Sequence, residues 1–311
     1  MISEEIIMRY FYIILIFYLY ALSSICFGKT GYPSFDVFHS PSQLSLGGAG
    51  FLKPSPISSK MNPSVADTGK NFSTSIIRYD ANIISQSVGV SVPWGNGVGT
   101  FFISHISYGT FNGYDTDAHP TGKYQSGDTW LNGVYSKKLK FFPVRAGFSI
   151  QYFNSVLKDH NITALLFSLG SEVFIHSVNG SLGVSFHNIG FTFKTNNFAK
   201  GSVAPKTVLS GSKELAHLPL TLFFDSVYLN QGGETDVFLG GIFKLKNNLR
   251  FQWGSSTRKI NHNINQNIFQ TILGATGLGI GYCTGQTKFH YGTFVFGTGA
   301  SSHGLEITVH L

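Results

Sequence analysis

The sequence predicts an all-β protein: a transmembrane antiparallel β-barrel of about fourteen strands, twelve being the alternative, with a short N-terminal plug segment. Three observations lead there. Only 12% of the 311 residues are charged while 15% are aromatic, and an ordinary soluble domain carries about 25% charged residues. Beyond residue 30 no run of eighteen apolar residues occurs, so no helical membrane span is expected there. From Phe72 onward, short segments alternate apolar with small or polar residues and are separated by Gly, Asn, Asp and Ser clusters. Apolar residues diluted by alternation are the signature of a barrel wall in a membrane.

The elements follow in chain order. Tyr10 to Phe27, "YFYIILIFYLYALSSICF", is an apolar run preceded by Arg9, and residues 1–28 read as a signal peptide. Its positive flank requires a start at Met8, since Glu4 and Glu5 precede it. A retained anchor helix and a lipoprotein acylated at Cys26 are weaker readings, the latter because Ile25 is a large residue to precede the acylated cysteine. With the signal removed, Cys283 is the remaining cysteine, which rules out an internal disulfide or a multi-cysteine metal site. In "LGIGYCTG" it reads as a small strand residue. The formal charge of +7 is spread without a basic block, which excludes nucleic acid as a partner.

Residues 29–71 carry Pro33, Pro41, Pro54, Pro56 and Pro63 without sustained period, and proline is excluded from central strands. This stretch reads as a periplasmic or luminal plug. Gly47, Gly48, Asn62 and Pro63 are its gate candidates. Glycine permits positive φ, and the residue before proline is held extended. They serve either to fix the plug's backbone or to gate a path.

Residues 72–311 read as the barrel. In "VRAGFSIQYFN", Val144, Ala146, Phe148, Ile150 and Tyr152 oppose Arg145, Gly147, Ser149 and Gln151. "SLGVSFHN" and "LRFQWGSSTR" repeat the pattern, placing His187 in the first and Arg250, Gln252 and Arg258 in the second on the polar face. About ten tilted residues span roughly 24 Å, the height of an outer-membrane apolar band. The last eleven residues, "SSHGLEITVHL", set Leu305, Ile307, Val309 and Leu311 against Glu306, Thr308 and His310. A half-apolar strand there is expected to pair with the first strand and close the cylinder. The second face points to a wet lumen lined by Arg145, Gln151, His187, Arg250, Gln252, Arg258, Glu306 and His310. Trp94, Tyr108, Trp130, Tyr152, Tyr228, Trp253 and Tyr282 suit interfacial girdles. Tight turns are expected at Asn96–Gly97 and Asn247–Asn248, and long loops at 111–128 and 194–217.

No catalytic constellation, cofactor or structural metal is expected. Ser301, Ser302 and His303 are adjacent, but neighbours in an extended chain point to opposite faces. "GLGIG" (277–281) lacks a following helix and reads as glycine packing. Asp115, Asp117 and His119 have the chemistry for a hard cation, though acidic turns on outer loops are common.

Ordered motifs support a family resemblance. "LSLGGAG…MNPSVAD" (Leu44 to Asp67) resembles the N-terminal signature of barrels related to FadL-type fatty acid transporters. "ISYGTFNGYD…GKYQSGDTWLNGVYSKKL" (Ile106 to Leu139), "VSFHNIGF", "LPLTLFF" and the closing "FHYGTFVFGTGASSHGLEITVHL" resemble more narrowly the PorV/PorQ family of type IX secretion, nearest its PorQ branch. The resemblance spans nearly all the mature chain. It departs where "FLKPSPISSK" replaces the usual acidic residues and where the chain ends on Leu311 rather than an aromatic. It implies a 14-stranded, non-enzymatic barrel in the bacterial outer membrane, in contact with outer-membrane lipid. Its implied partners are large secreted or sortase-like proteins. A FadL-like transporter of small hydrophobic molecules is the alternative function, and a plain porin-like wall a third.

Overall fold

The computed structural model describes residues 35, 37–140, 142–158, 160–194, 203–229, 235–261, 274–296 and 300–311. The signal-peptide expectation for residues 1–28 and the middle of the expected 194–217 loop fall outside them. The strands are β1 Asn71–Arg78, β2 Ile84–Trp94, β3 Gly97–Tyr114, β4 Pro120–Lys138, β5 Val144–Leu157, β6 His160–Ile175 and β7 Gly180–Lys194. They continue as β8 Lys206–Glu214, β9 Leu220–Leu229, β10 Thr235–Lys244, β11 Leu249–Ser256, β12 Thr276–Thr284, β13 Thr287–Val295 and β14 Ser301–His310. Each pairs antiparallel with its neighbours in sequence, and β14 pairs with β1, so fourteen strands form a closed barrel. The seam runs from Asn71 opposite His310 to Arg78 opposite His303. Closure leaves the expected half-apolar last strand without a free edge.

The alternation read in the sequence is the division between outside and inside. Phe148, Ile150 and Tyr152 on β5, Leu278 and Ile280 on β12, and Leu305 and Ile307 on β14 are exposed on the outer wall. Ser149, Gln151, Gln252 and Glu306 are buried within. An outer wall of Phe, Ile, Leu and Val with every strand's hydrogen bonds satisfied by neighbours is the membrane-spanning surface of an outer-membrane barrel. Asn71 and His310, the start of the β1–β14 seam, share one end of the barrel with the two-residue turns at 95–96 and 285–286. Outer-membrane barrels place short turns in the periplasm.

Five local expectations change. The β2–β3 turn is Gly95–Asn96 rather than Asn96–Gly97: Trp94 pairs with Gly97, and Gly95 takes the left-handed conformation at φ 57. Gly97 belongs to the ladder, where a Cβ would lie 2.4 Å from the Ser136 carbonyl oxygen. The Asn247–Asn248 turn is as expected, with φ of 58 and 61, the paired left-handed geometry of a type I′ hairpin.

Residues 111–128 are not a loop. β3 and β4 are 18 and 19 residues long and stay paired up to Tyr114 and Pro120. Phe111 and Tyr124 stack across the hairpin at 5.5 Å, and Gly109 and Gly122, at φ 91 and 111, accommodate the irregular register. The density of Asn, Gly and Asp mimics a loop, while cross-strand aromatic packing holds the strands together. Within the other expected loop, residues 206–214 form β8.

Trp130 is no girdle residue: it is 0% exposed and packs inside against Phe35 and Phe153. Tyr108 also turns inward and donates its hydroxyl to Asp128 Oδ2 at 2.8 Å.

Ile280 sits in the middle of β12 on the outer wall, 57% exposed. Ile280→Lys should lower folding into lipid vesicles by about 2–4 kcal/mol if that position lies at the bilayer midplane. Heat-modifiable electrophoretic mobility, compared with Ile280→Leu, measures it.

Candidate functional site

The lumen is filled rather than wet. Residues 37–70 run inside the cylinder, and their local structure begins with a capped helical turn. Ser40 is the N-cap, its Oγ accepting from Gln43 N at 3.1 Å, and Pro41 opens helix α1, Pro41–Ser45. Proline at a first helical position needs no hydrogen-bond partner and is preset in φ. After α1 the chain reverses through Gly47 and Gly48, at φ 62 and 96, conformations that glycine adopts without steric penalty.

This segment's main chain rests on wall glycines. Gly240 pairs with Gly254, Gly254 with Gly277, Gly279 with Gly292, and Gly292 with Gly304, giving a track across β10–β14. A Cβ on Gly292 would meet Pro41 O at 2.1 Å, on Gly277 Leu44 O at 2.0 Å, and on Gly254 Leu46 O at 1.9 Å. Gly47 presses back equally: its own Cβ would lie 2.5 Å from the Gly254 carbonyl carbon. Asn62 and Pro63 have a second glycine floor on β5–β7. There a Cβ on Gly147 would meet Pro63 O, and one on Gly170 Asn62 Oδ1, both at 2.1 Å. Asn62 is fully buried; its Oδ1 accepts from Ser64 N and Oγ, at 3.0 and 2.8 Å.

Side-chain latches supplement these contacts. Ser45 Oγ donates to Gln252 Oε1 at 2.8 Å and lies 2.9 Å from His290 Nε2. Ser42 N donates to Glu306 Oε2 at 3.4 Å, and Lys53 donates to Ser42 Oγ. Asp225 Oδ2 accepts from Gly50 N at 2.7 Å and from Phe51 N at 3.5 Å. Arg145 Nη1 donates to Ala66 O at 3.3 Å and lies 3.8 Å from Glu172 Oε2. On the other side of the plug, Lys60 Nζ donates to His39 Nε2 at 2.7 Å, and Lys60 lies over the Trp130 ring at 4.7 Å. His39 therefore stays neutral and donates from Nδ1 to Ser104 Oγ at 3.0 Å. Burial, then the charges of Lys60 and Lys206, hold its pKa well below the ordinary imidazole value.

The structure sorts the sequence candidates into groups. Arg250, Gln252 and Glu306 line one polar cavity of about 80 Å3 with Lys53 and Lys288. Gln151 and His187 line another of about 50 Å3 with His39 and Lys60. Arg145 stands apart below Ala66. Arg258, in the short helix α2 Arg258–Asn261, donates from Nε to Asp236 at 2.7 Å and covers Phe238. His310 is half-buried at the end of the seam. Sequence reasoning missed Ser42, Ser45, Lys53, Lys60, Asp225 and His290. Of these, Asp225 had a signal, being an acid at an inward position of "LTLFFDSVYL".

Both cavities fall well short of the 300–1,000 Å3 typical of ligand pockets. Around the plug the inner wall is nevertheless apolar in three places. Phe35 meets Ile106, Trp130, Phe153 and Leu166. Leu46 and Phe51 meet Val208, Phe223, Val227 and Phe238. Phe38 and Leu44 meet Ile77 and Phe294.

The remaining candidates have structural roles. Asp115 Oδ1 accepts from Asp117 N and His119 N, at 3.0 and 2.8 Å, closing the β3–β4 turn. Ser302 points inward, whereas His303 lies on the outer wall beside Tyr291, whose hydroxyl is 2.8 Å from His303 Nδ1.

Asp225→Ala leaves Gly50 N and Phe51 N without their acceptor, an expected cost of about 1–3 kcal/mol to the seated plug. The released fraction, read as protease accessibility of the plug, should rise by roughly tenfold or more. The seated plug is also pH-dependent. Burial, reinforced by Arg250 and Lys288 against the opposing charge of Glu306, brings the Lys53 pKa down to about 8, whereas a solvated lysine titrates near 10.4. Between these values the released state binds more protons, so raising pH favours seating. Protease accessibility of the plug should fall from pH 8 towards about 10, and Lys53→Met should flatten the profile.

No protein-family model matches the sequence, and no curated protein matches it. Solved structures do. The P. putida toluene transporter TodX superposes with TM-score 0.56 at 9% identity, covering 88% of this chain and 98% of that one. A TodX deltaS2S3 mutant, described as a monoaromatic hydrocarbon channel, gives TM-score 0.52 at 10% identity over 92% and 100% of the two chains. The likeness is one of fold: the architecture of this chain is similar to that of the TodX barrel.

Proposed function

We propose that the protein is a non-enzymatic outer-membrane passage for small hydrophobic molecules, closed by the plug and opened when the plug leaves its glycine floor. The observation that carries this reading is the apolar inner wall behind the plug. A water-filled pore needs a polar lining, yet release of the plug would bare Ile106, Trp130, Phe153, Leu166, Phe223, Val227 and Phe238. Every plug contact described above is non-covalent, so the plug can move without bond cleavage. The fold shared with a toluene transporter supports the same reading.

The test is flux into proteoliposomes of a radiolabelled monoaromatic compound against a sugar of similar size. Asp225→Ala should raise the aromatic flux by about tenfold and the sugar flux far less. Equal gains for both would make the barrel a porin-like hole, and no flux of either would overturn the proposal.

One observation favours a second reading, in which the barrel is a component of type IX-like secretion or surface attachment. The β3–β4 hairpin rises with an exposed Tyr114 and the stacked Phe111–Tyr124 pair at its tip, a rigid aromatic surface for a large secreted or sortase-like protein. Replacing residues 110–123 by a tight turn should then abolish partner recovery from detergent extracts while leaving the barrel folded.

A further inference from the structure

We infer that the outer wall carries a seat for one phospholipid, with an acyl chain lying in a groove across β2–β5 and the phosphate at Lys137. Three rows of outward residues define it. Val90, Phe101, Gly133 and Ile150 pair side by side; next come Val92, Gly99, Tyr135 and Phe148; last come Trp94, Gly97, Lys137 and Ala146. Rows two residues apart are about 7 Å apart along the strand. Towards the membrane centre the following row, Val88, Ile103, Leu131 and Tyr152, carries a full side chain at every position and closes the groove.

The groove exists because side chains are missing from the wall. Gly133 leaves bare backbone between Phe101 and Ile150, and nothing lies within 4 Å of where its Cβ would be. The Trp94 ring folds over Gly99, within 2.8 Å of its Cβ position, and meets the Tyr135 ring edge-on at 6.1 Å. Tyr135 and Phe148 follow with their rings 6.2 Å apart, so the three rings bound the slot as one ridge on the side of Lys137. The resulting volume is about 350 Å3, lined by Val90, Val92, Trp94, Phe101, Tyr135 and Ile150 among others. This is an apolar slot on a surface that already faces hydrocarbon, so a lipid chain can fill it without desolvating any polar group.

Charge selects the occupant. Lys137 is half-buried on the outward face one row beyond the slot, beside the β2–β3 turn. Among the described residues it makes no ion pair. The Tyr135 ring leans towards the same level, its hydroxyl 2.8 Å from the Cβ position of Gly97. Tyr and Trp side chains favour the headgroup boundary, and lysine stems reach from apolar surface towards phosphate. The short-turn end faces the periplasm, so the lipid comes from the periplasmic leaflet.

The experiment is native mass spectrometry of the full-length mature barrel, delipidated in mild detergent and titrated with phosphatidylglycerol. The wild type should show a saturable complex with one lipid. Gly133→Leu fills the slot without forcing the wall, and should weaken that complex by about tenfold or more. Lys137→Ala should weaken it about fivefold. Leu239→Phe, on the outer wall of β10, should leave it unchanged, and heat-modifiable mobility confirms that each variant is folded. Equal lipid retention by the wild type and Gly133→Leu would overturn the assignment. So would a barrel dimer that Gly133→Leu abolishes, because the slot would then hold a second copy of the chain.

Discussion

Main chain against bare wall is the contact on which the rest of this structure depends. A plug that touched side chains would stand off the inner surface and leave gaps. Here Pro41, Leu44, Leu46 and Pro63 bring carbonyl oxygens to where wall Cβ atoms would be. The barrel accepts a weakened wall in return, since glycine within a strand costs roughly 0.5–1 kcal/mol relative to alanine. Such positions are concentrated beneath the plug, on β10–β14 under α1 and on β5–β7 under Asn62–Pro63. The two floors hold the plug at two places, while the apolar clusters grip it at Phe35, Phe38, Leu44, Leu46 and Phe51.

Polarity inside the barrel follows from that geometry. Because the plug's backbone is pressed against the wall, its amide groups need acceptors at fixed places, and Asp225 and Glu306 supply them from strands on different sides. Cations then enter as balance: Lys53 near Glu306, and Lys60 between His39 and Trp130. Each charged group is held by a few directional bonds in a confined space, where a hydrogen bond is strong when made and costly when lost. The interior is thus closed tightly without being a hydrophobic core in the usual sense.

How much of this was legible depended on how local the cause was. Period-two alternation is set by adjacent residues, so the barrel, the outward face of Phe148 and Ile150, and the inward position of Gln151 and Glu306 could be read directly. The Asn247–Asn248 turn is likewise local. Trp130 was misread although its neighbours carried the answer, for it shares parity with Asp128 and Asn132, both buried. The 111–128 stretch was misread because turn-forming residues were weighed above the cross-strand Phe111–Tyr124 pair. Seating of the plug was out of reach: Ser45 meets Gln252 and His290 across separations of 207 and 245 residues. Glycine alternation, moreover, is the same whether water or another backbone lies against it.

The position of α1's floor ties two events together in time. The plug precedes β1 in the chain, yet the strands under α1, β10–β14, are the last to emerge, and the same β14 that carries Gly304 also zips to β1. A closed ring of hydrogen bonds offers no slit through which a folded segment can later be slipped sideways. The floor under α1 is therefore complete only once the cylinder is sealed: what is made first takes its seat on what is made last.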